Sequence, residues 1–371
     1  MSTEEKLSPR VVELAARQLK AEVEQVSIIQ LTGDASTRAY YRARAGESTL
    51  VVSIYSEPFD ENERVVDRLA RMEAANPSAR LTFANDPCAH IEATKLFLEA
   101  GLPVPQILAV SGPDRAMLFE DVGDARLQDW LGGHSAAETA SAYERAIELI
   151  VKIQEATGLA SGSDYVARHL AFDEAKLRWE LGFFFANYFT RYLGVKMDSA
   201  MANGVQKDFR SICSELAARP RVLTHRDYHA RNLMMVGKAM FIIDHQDARM
   251  GPASYDLASL VNDPYTSLEG ELSASLIEKF IEMKARSSEP LADAEEFRTE
   301  FELMNVQRML KAVGTYSYQA AALNNLTYVD YIRPAIERAI ISISSLGRFE
   351  RLRELLEGAS GAGGQWSGFR G

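Results

Sequence analysis

Short alternating runs occupy the first third of the chain, and long helical spacings fill the rest. Apolar positions at Val12, Leu14, Leu19 and Val23 predict a first helix over Pro9–Glu24. Val26–Leu31, Ala39–Ala45 and Leu50–Tyr55 are β-branched or alternating, and the turn signals GDAS and AGES separate them, so they predict a three-stranded meander. Glu61–Asn76 reads as a charged surface helix ended by Asn76-Pro77. Ile91–Ala100 reads as a second helix, stopped by Gly101 and Pro103. Ile107–Val110 and Ala116–Glu120 complete an expected five-stranded sheet.

After Asp124 the pattern turns helical over Ala136–Thr157, Asp173–Leu193, Ser199–Ala218, Gly270–Ala285, Ala292–Gln319 and Ile332–Leu356. Two short strands interrupt it, Leu233–Val236 and Met240–Ile243, joined at Gly237-Lys238. The expected class is α+β: a small β-rich lobe over 1–123, a large α-helical lobe over 124–357, and a Gly-rich, disordered tail over 358–371.

Composition narrows the partners. The chain has 371 residues, 47% of them hydrophobic, enough for two lobes with cores. A net charge of −11 argues against a general grip on nucleic acid but leaves local phosphate binding open. Two cysteines, Cys88 and Cys213, cannot build a disulfide framework and suit a reducing compartment. The opening MSTEEKLSPR lacks a secretory apolar core and no run is long enough to cross a bilayer, so a soluble cytoplasmic protein is expected.

The chemistry concentrates in HRDYHARN, His225 to Asn232. It fits the His-Arg-Asp, four residues, Asn pattern that phosphoryl-transfer enzymes place in a catalytic loop. Twelve residues after Asn232 comes Asp244, at the end of the apolar run MFII. A hairpin between them would join a carboxamide oxygen to a carboxylate, a donor set suited to Mg²⁺. Asp227 then stands one short loop away, placed to accept a hydroxyl proton. Taken singly, Asp227 and Asp244 serve equally well as turn caps, and Asn232 as an Asx-turn. The spacing of all three, followed by GPASYDLASL, favours the catalytic reading.

The block HRDYHARNLM…FIIDHQDARMGPASYDLASL resembles the aminoglycoside-phosphotransferase-like branch of the kinase fold. Within that branch it is most similar to the anomeric N-acetylmuramate/N-acetylglucosamine kinases of bacterial cell-wall recycling. LTGDASTRAYYR resembles that family's phosphate-loop hairpin, and LFLEAGLPVPQILAV…MLFEDVGD its helix-to-hinge region. The similarity runs from about Leu31 to Ala339. It implies a two-lobed, protein-kinase-like fold, ATP between the lobes and two Mg²⁺ ions. Asp227 becomes the catalytic base, with Asn232 and Asp244 as metal ligands. His225 and Arg226 brace the loop, and Asp256 caps its helix and tethers the loop's backbone. The adenine edge meets the carbonyl of Glu120 and the amide of Val122.

Gly33, Asp34, Ala35, Ser36 and Thr37 form a small-residue loop whose amides and hydroxyls suit phosphate oxygens, and Arg38 just beyond can add charge. Its single glycine departs from G-x-G-x-x-G. A second departure is larger. The third strand, TLVVSIYSEP, has no lysine to pair with a helix glutamate such as Glu92, which leaves Arg38 or Arg42 to replace it.

Only HQDARMGPASY separates Asp244 from Asp256, too little for a peptide platform, so the acceptor is expected to be a small molecule. His229, Arg231, Gln246, Asp247, Tyr265 and Arg308 mix donors and acceptors in a way that suits a sugar; Asp263, Gln307 and Lys311 lie in the same segments. The expected activity is an ATP-dependent sugar 1-kinase. Kinases of the same fold for aminoglycosides, choline or homoserine, and a catalytically silent nucleotide-binding regulator, are the alternatives.

Overall fold

A computed structural model describes residues 7–31, 38–75, 83, 85–162, 164–266 and 268–361. In chain order the elements are α1 (Pro9–Leu19), β1 (Ser27–Leu31), β2 (Ala39–Ala45), β3 (Ser48–Ile54), α2 (Val65–Ala75), α3 (Pro87–Glu99), β4 (Ile107–Ser111) and β5 (Ala116–Glu120). Then follow α4 (Leu127–Leu131), α5 (Ala136–Glu155), α6 (Thr157–Gly162), α7 (Glu174–Phe184), α8 (Ser199–Ala217), β6 (Arg221–Thr224), β7 (Leu233–Val236) and β8 (Ala239–Ile242). The chain closes with β9 (Arg249–Pro252), α9 (Ser254–Val261), α10 (Gly270–Lys284), α11 (Ala294–Leu323), α12 (Ile332–Leu346) and α13 (Glu350–Gly361).

These elements make two compact units. The first comprises Met1–Trp130, Gly158–His169 and Arg231–Ala248; the second comprises Leu131–Thr157, Leu170–Ala230 and Arg249–Gly371. The first is built on an antiparallel sheet in the order β1-β2-β3-β5-β4. Strand alternation divides its side chains between two faces. Tyr41, Ala43, Leu50, Val52, Ala116 and Leu118 meet Val11 and Ala15 of α1 on one face. Met117, Phe119 and Tyr55 gather Ile91, Phe59 and Val110 on the other.

The second unit is helical and centres on α11, thirty residues long and buried along most of its length. Gly314 on that helix sits where an added Cβ would lie 2.6 Å from the Phe184 Cα, so only a glycine permits the helices to approach this closely. Among the described residues no helix is long and apolar enough to cross a membrane.

Several elements depart from the periodic reading, beginning with the first helix, expected over Pro9–Glu24, which ends at Leu19 where Lys20 takes a left-handed φ of 55°. The expected Asp173–Leu193 helix runs as α7 and then widens to a π-helix over Phe185–Tyr192. There the Asn187 amide donates to the Phe183 carbonyl at 2.8 Å and competes with the main-chain ladder. The expected Ile332–Leu356 helix divides at Gly347, which takes a left-handed φ of 62°. A two-stranded ribbon, β6 against β9 with Arg221 opposite Pro252 and Thr224 opposite Arg249, was not foreseen, because RVLT and RMGP are too short to show a period. The first residues of the expected disordered tail over 358–371 belong instead to α13, which runs to Gly361, and residues 362–371 lie outside the described residues.

Candidate active site

The strand β6 delivers the chain into His225-Arg226-Asp227, and the second unit pins that loop by its backbone. Asp256 on α9 accepts the His225 amide at 2.6 Å and the Arg226 amide at 3.0 Å. Arg226 has a φ of 86°, a strained conformation for a side-chain-bearing residue, which those two bonds help to hold. Asp256, expected also to cap its helix, does not: the capping position is Ala253, and Glu300 accepts the Ser254 amide at 3.0 Å. Arg308 donates to the Arg226 carbonyl at 2.9 Å and to the Ser259 hydroxyl at 2.6 Å, with its guanidinium over the Tyr255 ring. Tyr228 is fully buried, its hydroxyl donating to the Ala146 carbonyl at 2.8 Å. Asp263 accepts the amides of Ala230 at 3.1 Å and Tyr265 at 2.9 Å, and the Tyr265 ring meets His229 edge-on.

Asp227 is thereby presented on a rigid loop with its side chain 28% exposed, 3.3 Å from the Lys311 ammonium and 3.6 Å from the Arg226 guanidinium. Burial pushes its pKa up, but Lys311, Arg226, Arg308 and His229 outweigh that and hold the carboxyl well below the usual carboxylate range. Behind it, buried Glu180 accepts from Gln307 at 2.7 Å and stands 3.5 Å from Lys176. Five cations (Lys176, Arg226, Arg249, Arg308 and Lys311) interact with three carboxylates (Glu180, Asp227 and Asp256), an excess of two positive charges. Lys176 and Glu180 are four residues apart on α7, a pair visible in the sequence. Nothing local, however, says that this helix face turns toward the loop.

Within the first unit, β7 and β8 form a hairpin with Leu233 opposite Ile242 and Val236 opposite Ala239. Past the hairpin's open end the Ile243 amide donates to the Asn232 carbonyl at 3.0 Å, which sets Asn232 beside the Ile243–Asp244 segment. The Met235 amide to the Ala125 carbonyl and the Ile242 amide to the Pro103 carbonyl, both 2.7 Å, anchor the hairpin. Asp244 has a left-handed φ of 63° and a side chain 40% exposed. Its Oδ1 accepts from Gln246 at 2.7 Å and from Arg38 at 3.3 Å, and among the described residues no donor reaches Oδ2. No group of three or more His, Cys, Asp or Glu side chains suited to a metal occurs among the described residues. A carboxylate with one available oxygen and a neighbouring carboxamide fit Mg²⁺, which completes its shell with water and phosphate oxygens.

The other named residues fall as follows. Gly33 to Thr37 lie outside the described residues. Glu120 ends β5, its amide donating to the Gln106 carbonyl at 2.9 Å, and Val122 is buried two residues on. Asp247 is buried and accepts the Phe83 amide at 3.4 Å, while Arg231 is half-buried. The neighbouring His245 is bonded to the Thr94 hydroxyl at 2.8 Å.

The sequence profile of the phosphotransferase enzyme family matches residues 27–297. The N-acetylmuramate/N-acetylglucosamine kinase of Pseudomonas aeruginosa is 28% identical over 297 residues, covering 80% of this chain and 78% of its own. That of Neisseria meningitidis serogroup B is 28% identical over 247 residues, covering 66% and 71%. The crystal structure of spectinomycin phosphotransferase, in complex with ADP and spectinomycin, matches with a TM-score of 0.56 at 12% identity, over 91% of this chain and 99% of that one. This likeness establishes the two-lobed, kinase-like α+β fold, with a small antiparallel-sheet lobe and a large helical one. The profile runs from the first strand of the sheet into α11, across the loop and hairpin just described, and the chain belongs to the phosphotransferase enzyme family.

Proposed function

We propose that the enzyme transfers the γ-phosphoryl group of ATP to the anomeric hydroxyl of an amino sugar of the N-acetylmuramate and N-acetylglucosamine class. The observation that carries this reading is Asp227: an ionised carboxylate, partly exposed, on a loop whose backbone three side chains hold in place. Phosphoryl transfer asks its protein for orientation of the attacking oxygen and neutralisation of charge. Asp227 accepts the hydrogen bond of the acceptor hydroxyl and takes its proton as the oxygen bonds to the γ-phosphorus and the bond from that phosphorus to the bridging oxygen breaks, releasing ADP. An anomeric hydroxyl is more acidic than a ring alcohol, so a carboxylate held this far from basicity suffices.

Asn232 and Asp244 would hold the metal, with Asp227 only four intervening residues away along the chain. Magnesium bound there supplies charge neutralisation on the β- and γ-phosphates. Main-chain atoms of Glu120 and Val122 meet the adenine edge, and the loop Gly33 to Thr37 with Arg38 meets the phosphates. His225, Arg226 and Asp256 give the loop its shape.

The relatives' names support the sugar, and the charge around Asp227 supports it independently. Lys311 and Arg226 beside Asp227 disfavour a cationic acceptor such as choline and suit a neutral sugar or one bearing a carboxylate. His229, Arg231 and Tyr265 are the acceptor contacts on this reading. Gln246, Asp247 and Arg308, which also bond inside the protein, remain acceptor candidates beside them.

An acceptor panel tests the proposal. Magnesium-dependent ATP consumption is measured with N-acetylmuramate, N-acetylglucosamine, homoserine, choline and an aminoglycoside, and the phosphate position is read by ³¹P NMR. Turnover on the N-acetyl sugars with a 1-phosphate product is expected. Turnover on choline or the aminoglycoside alone overturns the sugar assignment, and no turnover on any acceptor points to a silent nucleotide-binding regulator.

A further inference from the structure

Phosphoryl transfer needs a cation at the nucleotide phosphates, and β3 offers no lysine for it. Two arginines on β2 and its approach are eligible, and the structure treats them differently. Arg42 is clasped at both ends: it donates to Asp121 at 2.7 and 3.0 Å and to Asp124 at 2.8 Å through both terminal nitrogens. Those four bonds tie the strand to the segment after β5. Glu92, the natural partner for a phosphate-binding cation, accepts the amides of Val65 at 2.9 Å and Val166 at 3.1 Å, and so holds backbone.

Arg38 has a different setting. It directly precedes β2, and its guanidinium lies 3.3 Å from Asp244 Oδ1 with the side chain only 5% exposed. The rings of Tyr40 and Tyr55 stand 5.6 and 6.0 Å from its guanidinium carbon. Tyr55 is fixed in turn by a 2.9 Å bond between its hydroxyl and His90 Nδ1, and His90 stacks on Phe119. The register explains the reach. Ala39 pairs with Ile54 and Tyr40 with Ser53, so continuing the ladder sets Arg38 opposite Tyr55, on the face shared with Ser53. Arg38 therefore shares a sheet face with Ser53 and Tyr55 of the strand that lacks the lysine.

We infer that Arg38 is the phosphate-binding cation of this enzyme, supplied from β2 in place of the missing β3 lysine. The inference rests on the function proposed above, in which Asp244 would help hold a metal that neutralises phosphate charge. A guanidinium presents several donors in a planar fork. It can keep one nitrogen on Asp244 while another meets a phosphate oxygen, which a single ammonium does less well. Arg38 thus aligns the Asp244 carboxylate as well as adding charge.

The test compares Arg38→Met, Arg38→Lys and Arg42→Met by steady-state kinetics, ADP-binding calorimetry and thermal melting. Arg38→Met is expected to lower kcat/KM for ATP by about 100-fold or more and to weaken ADP about tenfold, with KM for the sugar within about threefold of wild type. Arg38→Lys is expected to recover at least about tenfold of that loss, a rescue that separates charge at the phosphates from mere packing. Arg42→Met is expected to melt earlier but keep its ATP constants within about threefold. The inference is overturned if Arg38→Met folds normally and keeps its ATP constants and ADP affinity within about threefold, or if Arg42→Met shows the ATP-specific loss instead. Absence of wild-type turnover on every acceptor would sink the functional reading, and ADP calorimetry on the same variants would still decide the role of Arg38.

Discussion

Lys311, near the middle of α11, places its ammonium 3.3 Å from the Asp227 carboxylate, across a separation of 84 residues. Each group reshapes the other. Burial depresses the lysine's pKa and Asp227 offsets part of that, while Lys311 is foremost among the cations that keep Asp227 ionised. The loop's reactivity is thus set by a helix that follows it late in the chain.

Replacing Asp227 with Asn removes the carboxylate proposed to accept the proton but keeps the shape of the side chain. We expect kcat to fall by about 10²–10⁴-fold while KM for ATP stays within about threefold. Steady-state kinetics on the preferred sugar decide it, and near-normal kcat would remove Asp227 from the chemistry.

Removing its neighbour changes the pH profile. Asp227 has a depressed pKa in the folded protein, so its ionised form persists below the pH at which a free carboxylate protonates. The stability it contributes is present above the unfolded pKa and is lost as pH falls through the folded one. Lys311→Met raises the folded pKa, so the acid limb of log kcat against pH should move to higher pH. An acid limb that stays in place would show that Asp227 does not govern it.

Asp256→Ala leaves two amides, those of His225 and Arg226, without their acceptor and releases the strained Arg226 backbone. A loss of about 2–4 kcal/mol is expected in urea unfolding, with kcat reduced in the fraction that stays folded. Asp256→Asn retains one acceptor oxygen and should fall between Ala and wild type.

Two glycines on packed helices should respond with opposite signs. Gly314→Ala drives a methyl group into the Phe184 backbone and should cost about 1–3 kcal/mol. A Cβ at Gly182 meets nothing within 4 Å, so Gly182→Ala should stabilise α7 by about 0.5–1 kcal/mol. Thermal melting of the pair checks both.

Lys284 is fully buried at the end of α10, and its Nζ has no hydrogen-bond partner among the described residues. Burial lowers its pKa from 10.5 to about 8 despite nearby Glu289 and Glu155. Between those values the unfolded chain binds more protons than the folded one, so wild-type stability should rise with pH across that window. Lys284→Met should raise stability by roughly 1–3 kcal/mol below pH 8, with the gain shrinking as pH approaches 10.5. Equal melting temperatures at pH 7 would refute it.

Several elements were legible at the level of single residues. Ala39–Ala45, Ala116–Glu120 and Leu233–Val236 have the bounds that alternation and turn residues assign them. Strand period and turn chemistry are local properties, encoded within a few residues. The spacing of Asp227, Asn232 and Asp244 was local too, because a hairpin of short strands fixes what it joins. The π-helix after Phe184 leaves no mark in the apolar spacing, and a side-chain bond from Asn187 to the Phe183 carbonyl accompanies it. The β6–β9 ribbon escaped notice because neither strand has length enough for a pattern.

By itself, then, the sequence determined the order of elements and the short hairpin, and it singled out the side chains proposed to react, all set by neighbours a few positions apart. Only the tertiary structure decided which partners those side chains keep: Asp256 and Asp263 on the loop amides, Lys311 beside Asp227, and Arg38 rather than Arg42 beside Asp244. These contacts join residues 30 to 206 positions apart. Local propensity carries no information about such pairings; burial and strand register bring them together.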